Sequence, residues 1–256
     1  MNRRLRCLLY AALFLAASAW CFVLEGAEKL SAERFLEKAR NPHQRPTYAM
    51  LEGVLQHRRR GDGDTLTVPL YFGLIIMPER TIGQLLVDRR ESYLLGQSRD
   101  ARGDGTSVIH SGEGALLDRV GVRASDLTMG FLYCDLDAEL PDETLSAVVG
   151  CRVLRLKSPD GRELVKVYFE KENAFPLKAE FFRPGEPQPF RTLETGGFTE
   201  KNGLYYARSI RVEGPGWRTR IEFDPAMAQL GWYDKDKPQR IIREVEKRAD
   251  ASASGK

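Results

Sequence analysis

The feature that most constrains the fold is a series of short alternating segments in the second half of the sequence. In the segment 163–170, apolar residues alternate with charged or polar ones, and the segment 176–183 repeats the pattern. Such alternation places one face of a β-strand in a core and the other face in water. Turn sequences separate the segments, among them Asn202-Gly203, a strong hairpin signal. Strands joined by hairpins are antiparallel, so this half predicts an antiparallel meander.

The same pattern extends over most of the chain. Strands are predicted at Tyr48–His57, Thr65–Met77, Thr81–Asp88, Glu91–Gln97, Ser107–His110, Val148–Lys157, Glu163–Glu170, Pro176–Arg183, Phe190–Thr195, Leu204–Glu213 and Trp217–Phe223. Helices are fewer, and are predicted at Ala32–Arg40, which Ser31 can cap, and from Pro238 onward with Ile241, Ile242 and Val245. Gly114–Val120 and Ser125–Leu132 are predicted to be short helical or turn elements. Strands and helices do not alternate, which excludes a doubly wound parallel sheet. We therefore predict an α+β, mostly β protein.

The apolar face of so large a sheet must be covered. A single sheet cannot leave that face in water, so it must curl and receive a second sheet, helices or a ligand. The predicted helices provide little cover. The sequence therefore leaves two alternatives, a cavity lined by apolar side chains or a barrel whose core is filled by its own side chains.

The N-terminal segment has the layout of a secretory signal. Three arginines lie within Met1–Cys7, Leu8–Ala17 is almost wholly apolar, and Ala17-Ser18-Ala19 fits a signal-peptidase site. We expect a signal peptide at 1–19, a single domain at 20–248, a disordered tail at 249–256, and a periplasmic location. The apolar run continues to Leu24, so a membrane anchor is the alternative.

The charge balance argues against nucleic-acid binding. The chain has 39 Lys and Arg residues and 36 Asp and Glu residues. Arg3, Arg4 and Arg6 lie in the predicted signal peptide, so 36 of each sign remain. A neutral chain lacks the positive field that nucleic-acid binding generally uses. The run Arg58-Arg59-Arg60 is a local exception, for which two interpretations stay open: a solvated strand end, or a contact for an anionic headgroup.

The cysteines allow two interpretations. Cys134 and Cys151 lie in the predicted domain, in what would be an oxidising compartment. They could form a disulfide that stabilises the fold by roughly 3 kcal/mol, or they could be two separate buried thiols.

No catalytic or metal-binding constellation is recognisable. The sequence has no CxxC pair and no GxSxG elbow, and its three histidines have no metal-ligand spacing. We therefore predict no catalytic residues, no metal and no cofactor, and expect the protein not to be an enzyme.

Four segments of the chain carry short motifs in a distinctive order. They are Ala124–Thr128 with Leu132, Val153–Pro159, Val165–Lys178 and Gly203–Ile221. In order, they contain a Ser-Asp-Leu-Thr segment, a strand ending in Leu-x-Pro, a strand pair ending in Pro-x-Lys, and a Gly-x-Tyr strand followed by Arg-Thr-x-Ile. This order resembles the LolA/LolB-like superfamily, in particular its outer-membrane lipoprotein-sorting-protein-like branch. The resemblance covers about Phe35 to Ile242.

The resemblance implies an unclosed, highly curved antiparallel sheet, a half-barrel, with helices over its open side. It also implies a monomeric carrier without cofactor, which holds the acyl chains of a lipid or lipoprotein and serves a membrane trafficking complex. Strand parity then gives the candidate lipid-binding residues, although ordinary core packing would give the same pattern. They are Leu70, Phe72, Leu74, Ile76, Val165, Val167, Phe169, Leu177, Phe181, Ile221 and Phe223.

Two other classes of function stay open. One is an envelope-stress sensor or partner-binding module on the same fold, as in RseB/MucB-like regulators. The other is an exported hydrolase with an unrecognised site, against which the scarcity of histidine argues.

Overall fold

The computed structural model describes residues 30–41, 45–61, 63–98, 106–112, 114–145, 149–236, 238 and 241–245. The predicted signal peptide 1–19 and the predicted tail 249–256 lie outside these residues. Within the described residues, no helix is both long and apolar enough to cross a membrane.

The first helix, α1 (Ala32–Arg40), forms as predicted. The Ser31 hydroxyl accepts a hydrogen bond from the backbone N–H of Arg34 and so caps the helix. Phe35, Leu36 and Ala39 form one apolar stripe, and all three side chains are buried. The stripe fixes the face by which α1 packs on the sheet.

The first half of the sheet contains five strands, all predicted from the sequence. They are β1 (Thr47–Arg59), β2 (Leu66–Ile76), β3 (Arg80–Val87), β4 (Glu91–Ser98) and β5 (Thr106–Ser111). Short helices follow, again where they were expected: α2 (Leu116–Arg119), α3 (Ala124–Leu127) and a 3-10 helix at Gly130–Tyr133. We refer to residues 115–134, which hold these three helices, as the plug.

The second half adds eight strands and one helical turn. They are β6 (Asp135–Leu145), β7 (Val149–Lys157), β8 (Leu164–Glu170), β9 (Pro176–Phe182), β10 (Arg191–Lys201), β11 (Leu204–Gly214), β12 (Trp217–Phe223), β13 (Gln229–Trp232) and α4 (Tyr233–Asp236). Sequence reasoning missed β13 and β6. The acidic residues and Pro141 of β6 lower its strand propensity, yet they are tolerated because β6 is an edge strand.

The described strands form one 13-stranded antiparallel sheet that does not close into a barrel. Its order is β5-β4-β3-β2-β1-β12-β11-β10-β9-β8-β7-β6, and β13 pairs with β1 beside this path. The two halves are meanders joined by the β1–β12 pairing, in which Leu55 lies opposite Ile221. The predicted fold, a mostly β half-barrel with few covering helices, is confirmed.

The main core lies between the sheet and the plug. Leu55 is fully buried and lies opposite Val68 on one side and Ile221 on the other. Leu85 lies opposite Phe72 and Tyr93 in the same way. We call this face of the sheet the inner face, because α1 and the plug pack on it in one continuous apolar cluster.

The C-terminal segment departs from the prediction. The helix expected from Pro238 is wrong for Ile241, Ile242 and Val245, because residues 241–245 have no helical structure. The side chain of Gln84 binds the main chain of Arg243 at both its N–H (2.6 Å) and its carbonyl (2.9 Å), and Tyr71 donates to the carbonyl of Ile241 (2.6 Å). Main-chain groups that a helix would pair internally are thus bonded to the outer face of β2 and β3.

The structure supports the second interpretation of the cysteines, which is two separate buried thiols. Cys134 and Cys151 are both buried, and no disulfide joins them. Cys134 directly precedes Asp135, which pairs with Lys157, whereas Cys151 lies six residues earlier on β7. At about 3.3 Å per residue this separation far exceeds the reach of a disulfide.

Candidate ligand-binding site

Eight of the eleven predicted lipid-binding residues lie in the core of the inner face. Each is buried with at most 5% of its surface exposed, and each packs in the cluster that contains the plug. They are Leu70, Phe72, Val165, Val167, Phe169, Phe181, Ile221 and Phe223. In this structure the inner face is therefore a packed interface with the plug.

Leu177 lies on the opposite face, so its predicted position is wrong. Tyr168 of β8 lies opposite Lys178 of β9, but the next residue, Phe169, lies opposite Pro176. The strand pair thus has a β-bulge at Leu177. A bulge inserts one extra residue, so the side chains beyond it no longer point to the faces that strict alternation predicts. Leu177 packs against Tyr168 in a small cluster on the outer face.

Aromatic contacts hold α1 and the plug, which together cover the inner face, in place. Phe35 of α1 meets Phe169 edge-to-face with ring centroids 5.5 Å apart, and Phe131 of the plug meets Phe181 at 5.8 Å. Edge-to-face pairs at these distances add to the stabilisation from burial. Both sheet residues belong to the predicted lipid-binding set, so the cover occupies the positions expected for acyl chains.

A buried ion pair fastens the plug to the sheet. Arg191 of β10 donates to the carboxylate of Asp126 in α3, and the two side chains are 5% and 3% exposed. Asp126 also accepts from the backbone N–H of Arg123 at 2.7 Å, which caps α3. Burial raises the pKa of the Asp126 carboxyl, and the charge of Arg191 opposes that rise. The Nε of Arg191 additionally reaches the carbonyl of Gly121 at 3.4 Å.

Further polar contacts tie the plug at its two ends. Arg40 of α1 donates to the carbonyls of Leu132 (2.8 Å) and Cys134 (3.0 Å). At the other end the buried carboxylate of Glu91 accepts from the backbone N–H of Leu116 at 2.9 Å. The plug is thus fixed by a small number of identifiable contacts, each of which one substitution can remove.

An apolar pocket of about 200 Å³ lies where the plug meets the sheet, at the end where β1 begins. Its wall includes the two remaining residues predicted to bind lipid, Leu74 and Ile76. Side chains of the sheet, the plug and α1 all contribute to its wall, and the main ones are Ala39, Leu127, Met129, Leu132, Tyr133, Pro176, Phe198 and Tyr206. Because the plug forms one wall, displacing it would extend the pocket along the inner face.

Aromatic side chains surround this pocket. Phe175 stacks on Phe198 with centroids 5.4 Å apart and approaches Tyr205 at 6.1 Å. Phe198 and Tyr205 are 37% and 53% exposed, respectively. Exposed aromatic residues that adjoin an apolar pocket mark a site where an apolar ligand or surface can bind.

Other cavities have a different chemistry. One of them, of about 790 Å³, is lined by Arg59, Asp64, Asp88, Glu91 and Arg119 among others. Such a charged wall does not suit an acyl chain. Among the described residues, no three His, Cys, Asp or Glu side chains are grouped so as to hold a metal ion.

The residues that fasten the plug were missed by the sequence reasoning. Arg191 begins an ordinary strand and Arg40 ends a helix, so neither has a local signal. Asp126 lies in the Ser-Asp-Leu-Thr segment that carried the family resemblance, and that resemblance is the one signal in the sequence that singles it out.

The chain is similar to several solved structures. One is a DUF1329 family protein from Desulfovibrio piger, with 14% identity over 78% of this chain and 92% of the other, and a TM-score of 0.59. Another is a domain from Vibrio parahaemolyticus named for outer membrane lipoprotein sorting, with 16% identity, coverage of 79% and 93%, and a TM-score of 0.53. A LolA superfamily protein from Nitrosomonas europaea has 17% identity, coverage of 78% and 93%, and a TM-score of 0.47.

The first two structures, whose TM-scores exceed 0.5, share the fold of this chain, an unclosed half-barrel of the kind that the sequence resemblance implied. No protein-family model matches the chain. Comparison with the curated proteins gives no match either.

Proposed function

We propose that this protein is an exported carrier that binds the acyl chains of a lipid or lipoprotein. The observation that supports this most directly is the apolar pocket whose wall is the plug and whose surroundings are aromatic. The domain from Vibrio parahaemolyticus is named for lipoprotein sorting, which favours the same ligand class. The LolA-like fold of the compared structures favours a binding protein over an enzyme.

The size of the pocket determines how the ligand would bind. A dry apolar cavity of about 150 Å³ accommodates benzene, and pockets for larger ligands measure roughly 300–1,000 Å³. The present pocket, at about 200 Å³, is the closed state and accepts only one end of a long chain. The remainder of the chain would replace the plug on the inner face.

The free energy of replacing the plug by an acyl chain has an apolar part and a polar part. An acyl chain and the plug bury the same apolar surface, at about 25 cal/mol per Å², so exchanging one for the other costs little in apolar burial. The cost lies in the polar contacts of Arg40 and Arg191, which the exchange would break.

Met129, between α3 and the 3-10 helix, has left-handed backbone dihedrals (φ 53°, ψ 41°), and a non-glycine residue in that region is strained. It lines the pocket and is our proposed hinge.

The proposed lipid contacts are ten of the eleven residues predicted from strand parity, that is, all except Leu177. The N-terminal sequence supports export to the periplasm. We propose a monomer that exchanges its ligand with a membrane trafficking complex.

The test is a titration with a fluorescent long-chain fatty acid. Ile76→Trp fills the pocket, whereas Ile75→Trp places the same ring on the opposite face of the same strand. We expect Ile76→Trp to weaken probe binding at least tenfold and Ile75→Trp to leave it unchanged. Equal binding by the two variants would contradict the proposal.

A second candidate is a partner-binding module, such as an envelope-stress sensor. The packed inner face favours it, because eight of the predicted ligand contacts are covered in this structure. Under this alternative the plug stays closed and fatty acids do not bind.

A further inference from the structure

A basic basin lies at the other end of β1, far from the apolar pocket. It has a volume of about 490 Å³, and its charged lining residues are Arg58, Arg59, Arg60, Arg218 and Glu213. Thirteen residues of β1 at about 3.3 Å each separate it from the strand's start, which borders the apolar pocket. The basin therefore cannot hold the polar end of an acyl chain bound in that pocket.

Three of the four arginines of the basin have no carboxylate partner among the described residues. Arg58, Arg59 and Arg60 form no ion pair with any residue that the structure describes, whereas Arg155, Arg211 and Arg220 on the same sheet all do. The fourth, Arg218, binds the one carboxylate of the basin, Glu213, at 2.6 Å. The basin thus carries an excess of positive charge that no described residue neutralises.

The strand register brings like charges together. Arg58 of β1 lies directly opposite Arg218 of β12. Directly opposed like charges destabilise an antiparallel pair. A bound anion between the two guanidinium groups would reverse the sign of that interaction.

The main chain around the basin is well fixed. The backbone N–H of Arg60 donates to the carbonyl of Gly216 at 2.7 Å, which joins the end of β1 to the turn before β12. The indole of Trp217 lies so close to Gly214 that a Cβ there would come within 2.5 Å of the ring. The arginines therefore project from a backbone that is held on two sides.

We propose that this basin binds a phosphate group. Guanidinium groups bind phosphate oxygens through two parallel N–H bonds, and a doubly charged anion matches the unpaired arginines. The phosphate can belong to a phospholipid headgroup or to a soluble phosphate compound. This proposal is independent of the proposed carrier function.

The test compares two variants with the same change in charge. Arg58→Gln with Arg60→Gln removes half of the basin's arginines. Arg34→Gln with Arg80→Gln is the control, because both residues are exposed and neither lines the basin. Binding is measured by flotation with phosphatidylcholine vesicles with or without phosphatidylglycerol, and by calorimetric titration with pyrophosphate. Urea unfolding verifies that both variants fold.

The wild type and the control variant are expected to bind at least one probe, and the basin variant to bind it about 30-fold more weakly, at about 1 kcal/mol for each arginine removed. Binding to anionic vesicles alone assigns the site to a lipid headgroup, and binding to pyrophosphate as well assigns it to soluble phosphates. Absence of binding to both probes, or equal losses in both variants, would overturn the proposal. Fatty-acid binding by the basin variant should be unchanged, which separates this test from that of the carrier function.

Discussion

Asp126→Asn should destabilise the fold strongly, because it leaves a buried charge without its partner. The substitution keeps the shape of the side chain but removes the negative charge that faces Arg191, whose side chain is 5% exposed. The Nη1 of Arg191 already lacks a hydrogen-bond partner in this structure. Removing one member of a buried pair costs about 3–5 kcal/mol. That is a large share of the roughly 5–15 kcal/mol that stabilises an ordinary domain.

Urea unfolding, followed by tryptophan fluorescence, measures this cost as the change in the free energy of unfolding. The matched control is Asp137→Asn, which removes the partly exposed partner of Arg155 and should cost less than about 1 kcal/mol. The double variant Asp126→Leu with Arg191→Met replaces both charges by apolar groups and should recover most of the loss. A loss below about 1 kcal/mol for Asp126→Asn would refute the reasoning that this pair fastens the plug.

The remaining predictions concern the core, the C-terminal segment and the outer face. Phe169→Ala should cost about 3–5 kcal/mol in urea unfolding, because the ring is fully buried against Phe35 of α1, and a loss below about 1 kcal/mol would show that α1 packs loosely on the sheet. Gly73→Ala would bring a Cβ within 2.4 Å of the Ile241 carbonyl, so it should release residues 241–245 to limited proteolysis, and unchanged protection would contradict the contact. Burial raises the pKa of Tyr168 to about 12, so the folded state keeps a proton that the unfolded state loses near pH 10. The free energy of unfolding should therefore fall between pH 10 and 12, and less steeply in Tyr168→Phe; identical slopes would refute the assignment.

Much of the fold was predictable, because period-two alternation and hairpin turns are local signals. The β2 sequence shows the limit of these signals: they predicted the strand, but not that the C-terminal segment covers Tyr71 on its outer face. The identity of that cover was not predictable, since it depends on Gln84 binding the main chain of Arg243.

The candidate site was predictable only in part. Parity identified the inner-face residues but failed at Leu177, because a single bulge changes parity without a sequence signal. Parity also cannot distinguish a cavity from a core, and the pairing of Asp126 with Arg191 joins residues 65 positions apart. Long-range polar pairs of this kind become visible only in the folded chain.

The central claim is that the plug can give up the inner face to an acyl chain. Native mass spectrometry of the protein, delipidated and then mixed with a long-chain fatty acid, tests it most directly, because a fatty acid has no phosphate for the basin to bind. We expect one bound fatty acid per chain in the wild type and in Ile75→Trp, and binding at least tenfold weaker in Ile76→Trp. A well-folded wild type that keeps its unliganded mass would contradict it and would leave the partner-binding module as the better description.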